Sequence, residues 1–318
     1  MSYFYECLPM AMPPLSGRDL LSLSDLSADE LTELLAFATE LKAGKHHPQF
    51  PQKVLGLLFR KASTRTRVSF SVAMYQLGGQ VLDLHAGVTQ VGRGEPTSDT
   101  ARVLDRYLDV VAVRTFEQAE VQEFADYASI PVINALTDLE HPCQILADLL
   151  TIQEEFGQLE GLTLTYLGDG NNVAHSLLLG CAMAGMNVNI AGPAGYAPLP
   201  AIVEQAQGLG PGQVLITTDP EAAVKDAQVL YTDVWASMGQ EEEAGDRLPV
   251  FQPYQVNEAL LEQASGDAIV LHCLPAHRGE EITHAVMEGS ASRVWDQAEN
   301  RMHAQKALLA SVLSESKG

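Results

Sequence analysis

Positive charge is what this sequence has least of: 19 Lys and Arg stand against 41 Asp and Glu in 318 residues, a net charge of −22. A surface of that sign repels nucleic acid and anionic membranes, so neither is an expected partner. It also makes any local cluster of arginines conspicuous, because an anionic ligand would have to be met by charge gathered in one place. Cysteine is scarce too. Cys7, Cys143, Cys181 and Cys273 are far apart and form no C-x-x-C pair, which argues against a disulfide framework or a structural zinc site and predicts a reduced, cytoplasmic chain. The N-terminal stretch lacks a basic region followed by an apolar run, so no signal peptide is expected. No window approaches 18 uninterrupted apolar residues, so no membrane-spanning helix is expected either. A hydrophobic content of 46 % at this length suffices for two cores.

What the chain does contain is alternation. Short apolar runs at Val54–Phe59, Val81–Leu84, Val110–Val113 and Val132–Asn134 are separated by helical patterns, among them Val68–Leu77, Thr100–Tyr107 and Glu120–Ala128. The scheme repeats with Leu162–Leu167, Asn187–Ile190, Val214–Thr217, Val229–Thr232 and Ile269–His272, and with helices at Ala174–Ala184 and Pro200–Gly208. Strand and helix in alternation predict an α/β protein of two domains, each a parallel sheet flanked by helices. The expected boundaries are 1–148 and 149–295, with a C-terminal helix from about 296 packing back on the first domain. Ser27-Ala28-Asp29-Glu30 reads as a capping box that opens a helix to about Lys42. Gly239–Asp246 reads as a polar, acidic loop.

In parallel sheets, ligands sit at the carboxyl ends of the strands. After the first strand comes Arg60-Lys61-Ala62-Ser63-Thr64-Arg65-Thr66-Arg67. One helix needs one cap. Three hydroxyls and four basic residues exceed that need and predict an anion site, with helix N–H groups, hydroxyls and guanidinium forks as donors. Arg65 and Arg67 point different ways on a helix, so one is expected to meet the anion and the other to brace the loop. Arg114 ends the third strand; a structural ion pair and a ligand contact are equally open to it. After the fourth strand, His141-Pro142-Cys143-Gln144 offers donors for a carbonyl or phosphate oxygen, although a single His in such a place is more often structural. Gly168-Asp169-Gly170-Asn171-Asn172-Val173 tempts a dinucleotide reading. Val173 stands where the third glycine would be, and the next strand ends in Ala191-Gly192 without a ribose-binding acid, so that reading is set aside. The Asn172 amide still faces a small polar ligand. Asp233 and Ser237 would share a face if that segment were helical, and a carboxylate beside a hydroxyl suits an ammonium group. Cys273, with His272 and Arg278 near it in sequence, is either an inert buried residue or a thiolate of lowered pKa. No oriented triad is legible, so covalent catalysis is not expected.

These stretches together resemble the aspartate/ornithine carbamoyltransferases over nearly the whole chain: STRTR (Ser63–Arg67), TQVGRGEP (Thr89–Pro96), HPCQ (His141–Gln144), DVWASMG (Asp233–Gly239), HCLPAHRGEE (His272–Glu281) and ENRMHAQKA (Glu299–Ala307). Each is weak alone; six in order are specific. The Ser-Met-Gly stretch and Cys273 resemble the ornithine-using members, since the aspartate-using ones typically carry Pro where Cys273 stands. The resemblance implies a carbamoyl-group transferase with its site in the crevice between the domains. Ser63, Thr64, Arg65, Thr66 and Arg114 would hold carbamoyl phosphate, with His141 and Gln144 on the carbamoyl group. Cys273 and Leu274 would lie between the two substrates, and Arg301 would complete the clamp. Asn172, Asp233, Ser237 and Met238 would bind L-ornithine. Arg114, His141 and Cys273 would act in the chemistry. Gln90 would reach a neighbouring subunit's site in a homotrimer or a multiple of trimers. The family uses no metal and no organic cofactor. The expected product is citrulline, in arginine biosynthesis. Putrescine or an acylated ornithine as acceptor, and a non-catalytic amino-acid-binding paralogue, are the alternatives.

Overall fold

In a computed structural model, residues 12–85, 90, 94–236 and 244–315 are described. The Ser27 box opens α1 (Ala28–Lys42). Ser27 Oγ accepts from Glu30 N at 3.2 Å, and the Glu30 carboxylate accepts from Ser27 N at 2.9 Å. Such a reciprocal cap is worth about 1 kcal/mol.

The first sheet contains β1 (Val54–Phe59), β2 (Gln80–His85), β3 (Val110–Arg114) and β4 (Val132–Leu136) in the order β2-β1-β3-β4, all parallel. Its crossovers are α2 (Arg65–Gln76), α3 (Thr97–Leu104) and α4 (Gln118–Tyr127). After α5 (Pro142–Phe156), the second sheet contains β5 (Thr163–Leu167), β6 (Asn187–Ala191), β7 (Val214–Thr217), β8 (Val229–Thr232) and β9 (Ile269–His272). Its order is β7-β6-β5-β8-β9, again parallel. Its helices are α6 (Asn172–Met183), α7 (Pro200–Leu209), α8 (Pro220–Val224), α9 (Ala244–Phe251), α10 (Glu258–Leu261) and α11 (His284–Met287). The last helix, α12 (Val294–Leu313), packs against α1, α2 and α5 and reaches β9.

Every expected strand forms, with ends shifted by at most two residues. The helices are less well anticipated. The boundary expected between 148 and 149 falls inside α5, which continues unbroken to Phe156, so the chain crosses between the sheets after that helix. Gly239–Asp246 is not wholly a loop: its last three residues open α9, and 239–243 lie outside the described residues. Asp233 to Ala236 is not helical, so a shared helical face with Ser237 does not arise there.

Both sheets reverse their direction of growth once. In the first, the reversal lies between β1 and β3; in the second, between β5 and β8. A crevice opens at such a point because the flanking crossovers leave on opposite faces. The stretches that follow β1, β3, β5 and β8 are Ser63–Arg67, Arg114 itself, Gly168–Asn172 and Asp233. Those four stretches thus lie at two switch points. Among the described residues, no helix is long and apolar enough to cross a membrane.

Candidate active site

The basic residues after β1 divide their work. Arg60 pairs with Glu120, Lys61 with Asp138, and Arg67 with Asp83. Arg67 also lies over the Phe59 ring, 5.3 Å from its centroid. Among the described residues Arg65 has no such partner. Three of the four cations expected in the anion site are therefore braces, and Arg65 is the one left for a ligand. Ser63 Oγ accepts from Thr66 N at 3.2 Å, holding the turn into α2. The Thr64 side chain caps nothing.

Thr66 leads to the centre of the site. Arg301, on α12, donates to Thr66 Oγ1 and to Gln144 Oε1, both at 2.7 Å. Gln144 Nε2 donates to Asp148 Oδ1 at 2.8 Å. Gln297, one turn before Arg301, donates to the same oxygen at 2.7 Å and accepts from His272 N at 2.9 Å. A buried chain of hydrogen bonds thus runs from the anion loop through α12 and α5 to β9.

The electrostatics are unusual. Arg114, His141 and Arg301 are all buried, and Arg65, Arg114 and Arg301 repel one another. Burial, then Arg301 and Arg65, holds the Arg114 pKa down to about 9; it stays charged at neutral pH. Among the described residues none of the three guanidiniums makes an ion pair within 4 Å. Arg114 Nε, Arg301 Nε and His141 Nδ1 are buried without a hydrogen-bond partner among the described residues. Concentrated positive charge with orphaned polar atoms is a structure suited to an oxyanion. Burial, Arg301 and Arg114 hold the His141 pKa well below the usual imidazole value. His141 is therefore neutral at pH 7 and can donate one N–H without carrying charge.

His141 is positioned from the other sheet. Its backbone N donates to Ser176 Oγ at 2.8 Å, the ring of His175 meets Leu139 O at 2.9 Å, and Asn172 Nδ2 donates to Thr137 O at 2.6 Å. The N-terminal turns of α6 thereby clasp the loop between β4 and α5. The Asn172 amide N–H is engaged in that clasp, leaving its oxygen for a ligand.

The Gly168–Asn172 turn closes on itself. Gly170 N donates to Tyr196 O at 2.8 Å, and a Cβ at Gly170 would lie 2.3 Å from Pro198 N. The amide a dinucleotide phosphate would need is taken, in keeping with the sequence reading. Asn171, which sequence reasoning passed over, accepts from Val173 N and Ala174 N as a helix cap and donates to Asp233 Oδ2 at 3.1 Å. Its capping preference was the visible signal; its aim at Asp233 was not.

Asp233 Oδ1 accepts from Val234 N at 2.8 Å and from Cys273 Sγ at 3.0 Å. Burial and the Asp233 carboxylate push the Cys273 thiol well above its usual range. The lowered-pKa thiolate is therefore excluded: Cys273 is a thiol that donates. Arg278 does not assist it, being paired with Glu288 and His284 at the surface. Ligand-type atoms lie within 4.8 Å of one another in Asp233–His272–Cys273 and in His277–Glu280–Glu281. In the first group all three side chains already hydrogen-bond within the protein. Gln90 is exposed, and its carbonyl accepts from Glu95 N at 3.3 Å; among the described residues no side-chain hydrogen bond joins it to the site of its own chain. Ser237 and Met238 lie outside the described residues.

Asp148 allows a test of this electrostatic picture. Burial pushes its pKa up to about 7, against hydrogen bonds from Gln144, Gln297 and Tyr231 and the charge of Arg301. An acid raised from 3.8 in this way binds more protons folded than unfolded. Its contribution to stability is complete below 3.8 and declines as pH rises to about 7. Asp148→Asn removes that dependence. The variant's melting temperature relative to the parent should thus climb between pH 4 and pH 7 and level off above; a constant difference in differential scanning calorimetry would refute the shift.

The chain matches two family models in succession: aspartate/ornithine carbamoyltransferase, carbamoyl-P binding domain, over residues 18–154, and aspartate/ornithine carbamoyltransferase, Asp/Orn binding domain, over residues 160–312. It is 70 % identical over 304 residues to an ornithine carbamoyltransferase of Nostoc sp., covering 95 % of this chain and 99 % of that one. Among solved structures, the ornithine carbamoyltransferase of Pyrococcus furiosus is 49 % identical with a TM-score of 0.91, over 96 % of this chain and 99 % of that chain. That of Gloeobacter violaceus is 57 % identical with a TM-score of 0.86, over 93 % and 98 %. With two matched domains, relatives of this identity and a site built at both switch points, the chain belongs to the aspartate/ornithine carbamoyltransferase family.

Proposed function

We propose that this chain transfers the carbamoyl group of carbamoyl phosphate to the side-chain amine of L-ornithine, giving L-citrulline and phosphate. The observation that carries the reading is the trio Arg65, Arg114 and Arg301, the last two buried and none of them ion-paired among the described residues, lying within electrostatic reach of the Asp233–Cys273 pair. One half suits a phosphorylated donor, the other an amino-acid acceptor.

Ser63, Thr64, Arg65, Thr66 and Arg114 hold the phosphate in this reading. Neutral His141 and Arg301 donate to the carbonyl oxygen, where negative charge grows as the amine attacks, and Arg114 meets the charge passing to the leaving phosphate. Gln144 bears on the carbamoyl group indirectly, since its amide joins Arg301 to Asp148. The attacking amine has an ordinary pKa near 10. Two guanidiniums beside it disfavour its charged form, so the site itself promotes loss of its proton. Asp233, steadied by Asn171, takes the α-ammonium, with Asn172, Ser237 and Met238 on the amino-acid end. Cys273 and Leu274 lie between the substrates. No metal or organic cofactor enters. We assign the donor domain to the segment before the crossover that follows α5, with α12 docked on it, and the acceptor domain to the segment between.

The assembly in this reading is a homotrimer or a multiple of trimers, with Gln90 reaching a neighbour's site. Exposed Val68, Val72 and Tyr75 on α2 and Leu82 on edge strand β2 support a subunit contact on that flank. Sedimentation as a monomer at micromolar concentration would set it aside. A cytoplasmic, biosynthetic role accords with the free thiols of Cys143, Cys181 and Cys273.

The deciding assay is citrulline formation from carbamoyl phosphate and ornithine by the purified chain. Arg65→Ala, which breaks no internal ion pair, should lower kcat/KM by about a hundred-fold or more at unchanged melting temperature. Turnover of putrescine well above ornithine would overturn the choice of acceptor, and no citrulline at all would favour a non-catalytic binder.

A further inference from the structure

His272 follows from the fold rather than from any role assigned above. It ends β9, and its side chain and that of Glu281 are wholly buried. Leu274 N donates to His272 Nδ1 at 2.9 Å, so Nδ1 carries no proton and Nε2–H donates to Glu281 Oε1 at 3.0 Å. The same Glu281 oxygen accepts from His277 N at 2.5 Å. Leu274 has a φ of +60°, in the region that favours glycine. A leucine there persists only where its surroundings fix it, and such residues concentrate at functional sites. The Leu274 carbonyl accepts no hydrogen bond from the described residues. Immediately before it stands Cys273, whose thiol meets Asp233.

We propose that His272, backed by Glu281, is a positioning residue for carbamoyl transfer: it holds the left-handed turn at Leu274, which sets the Cys273 thiol against Asp233 and keeps the Leu274 carbonyl free for a substrate donor. This rests on the transferase reading above. The imidazole works as a two-ended strut. One nitrogen grips the Leu274 peptide; the other is anchored in a carboxyl group that also ties down His277, four residues nearer the surface loop. Nothing in this arrangement requires His272 to exchange a proton with substrate.

Two substitutions separate the two ends. His272→Asn places an amide oxygen near the position of Nδ1 and keeps an acceptor for Leu274 N–H while losing Glu281. His272→Gln reaches Glu281 but offers no acceptor at the Nδ1 position. We expect His272→Asn to retain kcat within about ten-fold and His272→Gln to lose about a hundred-fold or more, with the KM values for carbamoyl phosphate and ornithine within about three-fold of the parent and both melting temperatures lowered alike. Equal kcat for the two folded variants, or losses that merely follow the melting temperature, would overturn the proposal. Should neither variant fold, Glu281→Gln, which keeps an acceptor for His272 and His277, is expected to match the parent while Glu281→Asp loses kcat; equality of that pair overturns it in the same way. A parent enzyme that forms no citrulline brings down the transferase reading itself, and this inference with it.

Discussion

Arg301→Met should reduce citrulline formation by about a thousand-fold or more, a loss of about 4 kcal/mol of transition-state stabilisation, while leaving the protein at least as stable as the parent. The two halves of that expectation have one cause. Arg301 is a buried cation whose ordinary charge is opposed by burial and by Arg65. Its hydrogen bonds go to the neutral oxygens of Thr66 and Gln144, not to a carboxylate. Removing an unpaired buried charge relieves its desolvation cost, which offsets the two hydrogen bonds to Thr66 and Gln144 that are lost. Catalysis has no such compensation. The guanidinium ties the anion loop at Thr66 to Gln144, and its Nε has no partner among the described residues. Losing one preorganised donor typically costs a hundred- to a thousand-fold; here its loss also releases Thr66 and Gln144. Arg301→Lys should rescue little, since one ammonium cannot span both partners and the ligand. Steady-state kinetics with calorimetry checks both halves. A variant that loses stability in proportion to activity would mean that Arg301 is chiefly structural. Carbamoyl phosphate should also raise the parent's melting temperature and fail to raise that of Arg301→Met at the same concentration.

Asp233→Asn is expected to lower kcat/KM for ornithine by a hundred- to a thousand-fold while the melting shift caused by carbamoyl phosphate persists. The substitution is nearly isosteric, so the argument turns on donors and charge. Oδ1 already accepts from Val234 N and the Cys273 thiol, and Oδ2 accepts from Asn171 Nδ2. If the new amide keeps its oxygen toward the first two, its NH2 faces the NH2 of Asn171. Asn171 cannot turn over to meet it, because its own oxygen caps Val173 N and Ala174 N. The variant thus loses a negative charge for the acceptor's ammonium and gains a donor-to-donor contact. Asp233→Asn should also release the Cys273 thiol from the carboxylate that helps hold its pKa up, so alkylation by iodoacetamide near pH 8 should become faster. An unchanged ornithine KM and unchanged alkylation rate would remove Asp233 from the acceptor site.

Parts of this site were plain in the chain. The stretch after Phe59 read as an anion site because the number of hydroxyl and basic residues exceeded the need of one helix cap. What could not be read was which cations do the binding. Arg60, Lys61 and Arg67 are partnered by Glu120, Asp138 and Asp83, acids 60, 77 and 16 positions away. At Cys273 the structure chose between two open readings. Its basic neighbours in sequence left a thiolate open beside an inert thiol; in space Arg278 turns to the surface and Asp233, 40 residues distant, faces the sulfur. Asp148, Gln297 and Glu281 gave no signal of their roles, and Asn171 gave only its capping preference, because each acts by orienting another side chain, and orientation has no one-dimensional trace.

The sequence by itself determined the alternation of strand and helix, the parallel sheets that follow from it, and the turns at which chemistry would be concentrated. Those depend on local periodicity and on residues within a few positions of one another. The tertiary structure decided the rest: the reversals at β1/β3 and β5/β8, the arrival of α12 with Arg301 between Thr66 and Gln144, and the protonation state of His141 and Cys273. Sheet order depends on long-range pairing, and a pKa depends on burial and on charges that meet only when the chain is folded.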